Sequence, residues 1–222
     1  MGIRSYLNHA PYGRGWGGCT VNPKMWTVYG TGDARREASI INLDSEGITD
    51  DSEYAKSYAD QREYTGYTVK KYTPMSKWVK DEKSGAWSIA DEISGLGEGD
   101  FQISQYQDFI VMRYADVLLM NAEAKVRKGQ NGDAPLNLVR ERAGLAPIAN
   151  ATLDQILEER QVELALEWGE RFFDLVRTDR ATQELPGFVK GESEYYPIPQ
   201  DQIDLNPNLE AEPVPFEPEV TE

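Results

Sequence analysis

The chain has 222 residues, 40% hydrophobic and 27% charged, enough for one domain with a real core or two small ones. Its 23 basic against 38 acidic residues give a formal net charge of −15, which repels a phosphate backbone and argues against nucleic acid as a partner. Apolar runs fall short of the roughly 18 residues that a transmembrane helix needs, and a single cysteine, Cys19, excludes an internal disulfide and a Cys-based metal site.

Residues 1–100 hold 13 of the 19 glycines, four of the five tryptophans and eight of the 12 tyrosines. No segment there sustains a helical period apart from a short helix expected near 52–61. Residues 13–18, Gly-Arg-Gly-Trp-Gly-Gly, read as loop, because so much glycine loses too much chain entropy in a helix or strand. Extended pieces are expected at 38–43 and 65–72, where β-branched and aromatic residues gather. Residues 81–100 read as a further loop.

Three amphipathic helices follow. The first is expected over 108–128, where Ile110, Val111, Tyr114, Val117, Leu118 and Ala122 recur at steps of three and four. Gly129 and Asn131-Gly132 supply stop and turn chemistry. The second starts at Asp133 or Ala134, tolerates Pro135 in its first turn, carries Leu136, Val139 and Ala143, and ends at Gly144. The third starts at Thr152, where Gln155 completes a capping box. Its stripe of Leu153, Ile156, Leu157, Leu164, Trp168, Phe172, Leu175 and Val176 runs to about Thr178. Pro186-Gly187 then breaks the chain, Tyr195-Tyr196-Pro197-Ile198-Pro199 should run extended, and residues 200–205 make a helical turn. The tail from Glu210 has three prolines, five glutamates and no basic residue, so it reads as disordered.

DFIVMRYADVLLMNAEA, LNLVRERAGL and LDQILEERQVELALEWGERFFDLVRTDR resemble the C-terminal half of the SusD/RagB family. YYPIPQDQIDLNPNL resembles the family's closing segment and DARREASII at 33–41 a stretch of its middle region. The resemblance implies a mainly α fold of TPR-like helical hairpins, with 1–106 as a loop-rich, aromatic middle segment, 107–209 as the C-terminal helical region with its extended strap, and 210–222 as the tail. It implies non-catalytic binding of a glycan at the cell surface and delivery to a SusC-like TonB-dependent transporter. Family members are lipoproteins of the outer membrane. The stretch before Cys19 has no apolar region resembling a signal peptide, so the lipid anchor and roughly the first half of a family chain are not recognisable here, and the resemblance implies a partial chain. Two alternatives stand beside this reading: a peptide receptor of the RagB type, and a truncated helical scaffold with no intact ligand site.

The candidate ligand contacts are Tyr12, Trp16, Trp26 and Tyr29, since a sugar ring packs its C–H face on a flat aromatic. Asn22, Asp33 and Arg35 could hydrogen-bond its hydroxyls. The competing reading is that these rings bury against the helices and stiffen the loop. Glu158, Glu159, Arg160, Glu163, Glu167, Glu170, Arg171, Asp174 and Arg177 invite a paired-carboxylate mechanism, but their interleaved spacing reads as a solvated or salt-bridged helix surface. Arg113 and Asp116 are expected to pair with each other. His9 has no partners for a metal site or a triad. Gly13-Arg14-Gly15 and Gly30-Thr31-Gly32 lack the context of a phosphate loop, and 131–133 and 201–206 lack that of a calcium loop. No catalytic residue, metal or cofactor is assigned.

Overall fold

The computed structural model describes residues 3–4, 11–12, 14–15, 18, 20–48, 64–73, 75–94, 110–168, 170–206 and 208–209. His9, Trp16, Cys19, the helix expected near 52–61 and the tail from Glu210 lie outside the described residues. The chain divides into two compact units, Met1–Trp168 and Gly169–Glu222.

The first unit begins with short elements: strands β1 (Ile3–Arg4) and β2 (Arg14–Gly15), helices α1 (Pro23–Val28) and α2 (Arg35–Ser39), then strands β3 (Ile40–Asn42) and β4 (Tyr67–Val69). β1 and β2 pair in parallel, so the glycine-rich stretch contributes a two-residue strand where loop alone was expected. β3 and β4 pair antiparallel, with Ile40 opposite Val69 and Asn42 opposite Tyr67, inside the two stretches expected to be extended. β5 (Met75–Lys80) and β6 (Trp87–Ser94) form an antiparallel hairpin, which corrects the loop expected over 81–100. Asp81 closes its turn, accepting hydrogen bonds from the backbone N–H groups of Lys83 and Ser84. Helices α1 and α2 are too short to show a period. α1 depends on its ends instead: Asn22 Oδ1 accepts from the Lys24 N–H at 3.0 Å, and Pro23 takes the first helical position.

The helical part of this unit comprises α3 (Tyr114–Arg127), α4 (Asp133–Arg142) and α5 (Leu153–Glu163). Leu119, Ala122, Leu136, Val139, Ala151 and Ile156 form their common core, with Ala115, Leu118, Val126 and Ile148 packed against it. Gly132 makes the α3–α4 turn possible, because a Cβ there would lie 2.7 Å from the Ala122 carbonyl oxygen. The capping box of α5 forms as expected: the Gln155 N–H donates to Thr152 Oγ1 and the Thr152 N–H to Gln155 Oε1.

Two expectations about these helices are corrected. α3 starts at Tyr114 and turns inward only part of the expected stripe: Leu118 and Ala122 pack into the core, but Val111, Tyr114 and Val117 are exposed, while Asp116, Leu119 and Glu123, outside the stripe, are buried. The segment is apolar on nearly every side, so its period could not select a face; the inward carboxylates do, Asp116 pairing with Arg160. The expected third helix is two: α5 ends at Glu163, and Leu166 adopts a left-handed φ of 63°.

A second apolar cluster joins Val21, Tyr29, Ile40, Val69, Tyr72 and Val162, and a third joins Ile3, Tyr12, Ile41, Leu43 and Ile48. The second unit holds α6 (Glu170–Arg177), α7 (Ala181–Glu184) and α8 (Gln200–Leu205). Phe172 meets Phe173 and Phe188 edge-on at 5.7 and 6.3 Å between ring centroids. Arg171 pairs with Glu184, Arg177 with Asp174 and Lys190 with Asp179. Residues 196–199 precede α8 without regular structure, leaving Tyr196 fully exposed.

Candidate functional site

The last carbonyls of a helix have no partner within it, and α5 resolves this with side chains from elsewhere in the first unit. Tyr29 donates its hydroxyl to the Val162 oxygen at 3.2 Å. Lys71 Nζ and Arg113 Nη2 donate to the Glu163 oxygen at 2.9 and 2.8 Å. Cations at a helix C-terminus also meet the negative end of its dipole. These contacts stop the helix where sequence period alone would continue it.

Around this end lies a buried ion network. Arg35 grips Asp33 with two hydrogen bonds, Nε to Oδ1 at 2.8 Å and Nη2 to Oδ2 at 2.7 Å. Its Nη1 donates to Glu163 Oε2 at 3.0 Å and lies 2.6 Å from Glu159 Oε1, the latter an ion contact outside hydrogen-bond geometry. Arg140 Nη1 binds the other oxygen of Glu159 at 2.6 Å. Glu163 also accepts from Arg113 Nη1 at 2.7 Å and from Arg142 Nη2 at 2.6 and 2.7 Å. Glu167 binds Lys71 at 2.7 Å and Arg113 Nε at 2.9 Å. Arg113 therefore pairs with Glu163 and Glu167 rather than with Asp116. Glu159, Arg160 and Glu163 are buried, so this stretch of α5 is an ionic interior rather than a solvated face.

Burial opposes the charge on Glu163, but hydrogen bonds from Arg113 and Arg35, with the fields of Arg113 and Arg142, hold its pKa below the ordinary value. Asp33 behaves alike: burial raises it, and the side-chain and backbone hydrogen bonds of Arg35 outweigh burial. Lys71 is lowered by burial, against the pull of Glu167. Each buried charge thus has a defined partner, as a low-dielectric site requires.

Two clefts open beside this network. One, of about 500 Å³, lies between the 28–35 loop and α4–α5. Val28, Leu145, Ile148 and Val162 give it apolar wall, while Gln155, Glu158 and Gln161 bring polar groups and Asp33, Arg35, Arg140 and Glu159 come from the network. Its volume falls within the range of small-ligand sites, about 300–1,000 Å³. The other, of about 250 Å³, is bounded by Arg35, Ser39, Lys71, Tyr72, Arg113 and Arg142, with Glu163 and Glu167, and is largely the network's own surface. Among the described residues no group of histidine, cysteine or acidic side chains is arranged to hold a metal ion, and no helix is long and apolar enough to cross a membrane.

The expected ligand contacts separate. Tyr12 is 2% exposed in one apolar cluster and Tyr29 is 3% exposed in another, so both rings are core positions, as the competing reading had it. Burial and Glu46, by its hydrogen bond and its charge, raise the Tyr12 hydroxyl pKa. Asn22 serves as the cap of α1. Asp33 and Arg35 come together in the ion network and border the larger cleft. Trp26 is half-buried; its ring meets Tyr67 at 5.4 Å between centroids and carries the Arg36 guanidinium 4.8 Å from its own. Gln155, Glu158 and Gln161, which border the cleft, were not singled out as ligand contacts from sequence. Only their spacing of three and six on one helix, opposite a glycine-flanked loop, hints at a shared face.

A model of the SusD family matches residues 42–194. The chain is 33% identical over 165 residues to SusD-like protein P38 of Formosa agariphila, covering 60% of this chain and 32% of that protein. A solved laminarin-binding SusD-like protein superposes with a TM-score of 0.66 at 30% identity, over 91% of this chain and 39% of that one. Surface glycan-binding protein A from Bacteroides thetaiotaomicron, in complex with laminarihexaose, superposes with a TM-score of 0.63 at 27% identity, over 88% of this chain and 41% of that one. This chain spans less than half the length of each. With the matched model covering more than half of its residues and the same mostly helical fold in these neighbours, the chain belongs to the SusD family.

Proposed function

We propose that this chain contributes to a glycan-binding surface that captures a saccharide without chemistry, at the outer face of a bacterial outer membrane, for delivery to a SusC-like TonB-dependent transporter. The observation that carries the reading is the likeness, at 27–30% identity over about nine-tenths of the chain, to solved SusD-like proteins described as binding laminarin or holding laminarihexaose. The larger cleft supports it: side-chain amides and a carboxylate beside aliphatic walls suit an uncharged ligand rich in hydroxyls. Of the aromatic residues expected to contact sugar, Trp26 is the described one with an accessible ring, and Arg36 would have to swing off its face. Binding rather than hydrolysis is supported by the state of Glu159 and Glu163. Glycoside hydrolysis needs a carboxyl with a raised pKa, whereas Glu163 is held low and both groups are occupied by arginines.

Calorimetric titration of the folded chain with laminarihexaose tests the proposal. Saturable binding is expected, weakened about tenfold or more by Trp26→Ala or by Glu158→Ala with Gln161→Ala, in line with the 1.4 kcal/mol that one lost hydrogen bond or ring contact represents. The variant that responds identifies the surface used. A folded chain that takes up neither laminarihexaose nor other oligosaccharides, but binds peptides, would replace this reading with the peptide-receptor alternative.

A further inference from the structure

The smaller cleft beside the ion network has polar lining that the network itself does not use. Ser39 and Tyr72, 1% and 5% exposed, both border it. Among the described residues neither Ser39 Oγ nor the Tyr72 hydroxyl has a hydrogen-bond partner. Ser39 lies beside Tyr29 and Tyr72 beside Trp168, in each case outside hydrogen-bond geometry. The Trp168 indole has only an N–H to offer, so it could not accept the Tyr72 proton in any orientation. A buried hydroxyl without a partner opposes folding. Two of them bordering one cavity point to a ligand that accepts hydrogen bonds there.

Charge names the class of that ligand. Arg35, Lys71, Arg113 and Arg142 border the cleft, against the carboxylates of Glu163 and Glu167. With Arg140, Asp33 and Glu159 beyond the rim included, the network still has one cation in excess, in a chain of net charge −15. Among the described residues Arg142 engages only through Nη2, on Glu163, and its side chain is 59% exposed, which leaves Nε and Nη1 for a ligand. A guanidinium edge matches a planar carboxylate. One surplus charge also suits a monovalent acid better than a phosphate of charge near −2. Ala38 and Ile110 add apolar wall, and about 250 Å³ is below the usual range of small-ligand sites, so the acid group must sit on a compact body. We propose that the smaller cleft is a carboxylate site, taking the acid group of a sugar acid or of a free small carboxylate, with Tyr72, Ser39 and Arg142 as its donors.

This site is separate from the larger cleft, where a neutral saccharide is proposed to bind, so either can fail without the other. Calorimetric titration of the folded protein with D-glucuronate, D-glucose and acetate tests it. Saturable uptake of glucuronate is expected, with none of glucose over the same concentrations. Tyr72→Phe removes the hydroxyl and keeps the ring, so it should weaken glucuronate about tenfold or more while stability holds or rises, the first being the effect of one lost hydrogen bond to a charged group. Arg142→Gln, at the exposed rim, should weaken it as much with helicity unchanged. Acetate bound more weakly than glucuronate supports the site and makes a sugar acid its ligand; acetate bound equally supports it with a free carboxylate as the ligand. Uptake of glucose equal to that of glucuronate, uptake that survives both substitutions, or no uptake of either acid overturns the proposal.

Discussion

At the scale of single residues, Glu163 is the position on which most of the ionic interior depends. Its carboxylate is 2% exposed and receives three arginines, from the start of α2, the approach to α3 and the end of α4. Glu163→Ala would leave Arg35 buried with one acceptor fewer and remove the common partner of Arg113 and Arg142. Breaking a buried ionic group in this way costs about 3–5 kcal/mol. Glu158→Ala, on the exposed side of the same helix, should change stability by less than about 0.5 kcal/mol. Urea unfolding followed by circular dichroism measures both, and equal effects would mean that Glu163 is not the hub its contacts describe. The sequence pattern assigned Glu163 to a helix but read its charge as surface, because interleaved charges four apart on a helix are ordinarily solvated. Its partner Arg35 is 128 positions away, beyond the reach of any local pattern.

At the scale of elements, what was legible is what local chemistry controls. The cap at Thr152, the stops at Gly129 and Gly144, and the buried Leu136 and Val139 of α4 with its C-cap Ala143 all follow from residues within one or two turns. Thr152→Ala should destabilise the first unit by about 1 kcal/mol, while Thr152→Ser keeps the hydroxyl and the stability. Thermal unfolding of the two variants distinguishes them, and an equal loss in both would assign the effect to the methyl group rather than the cap. The end of α5 was not legible. The stretch after Glu163 continues an amphipathic period, yet tertiary donors take the Val162 and Glu163 carbonyls and the chain turns through Leu166. The burial of two of the candidate aromatics was hidden for the same reason. Glycine-flanked aromatics signal either a ligand platform or a core anchor, and only the partners of Tyr12 and Tyr29, which come from distant segments, decide for the core. The cleft residues Gln155 and Gln161 carry no composition signal, since glutamine on a helix is ordinary.

At the scale of the whole molecule, two electrostatic terms of opposite tendency set the response to acid. The surface carries a net charge of −15 at neutral pH and approaches zero near the pI of about 4.6. Self-repulsion therefore relaxes as pH falls from 7 towards 5, and stability should hold or rise. The buried carboxylates act lower down. Asp33 and Glu163 have folded pKa values below their ordinary 3.8 and 4.5, so the unfolded chain binds more protons there than the folded one. Their contribution is complete above the unfolded values and is lost as pH falls through the folded ones. Denaturant midpoints measured from pH 8 to 3 should thus stay level or rise to about pH 5 and fall steeply below about 4. Glu163→Gln should lower the plateau and flatten the acid limb, because one of the buried carboxylates that take up a proton on unfolding is gone. A decline that begins near pH 6 and is unchanged in Glu163→Gln would place control of acid stability outside this network.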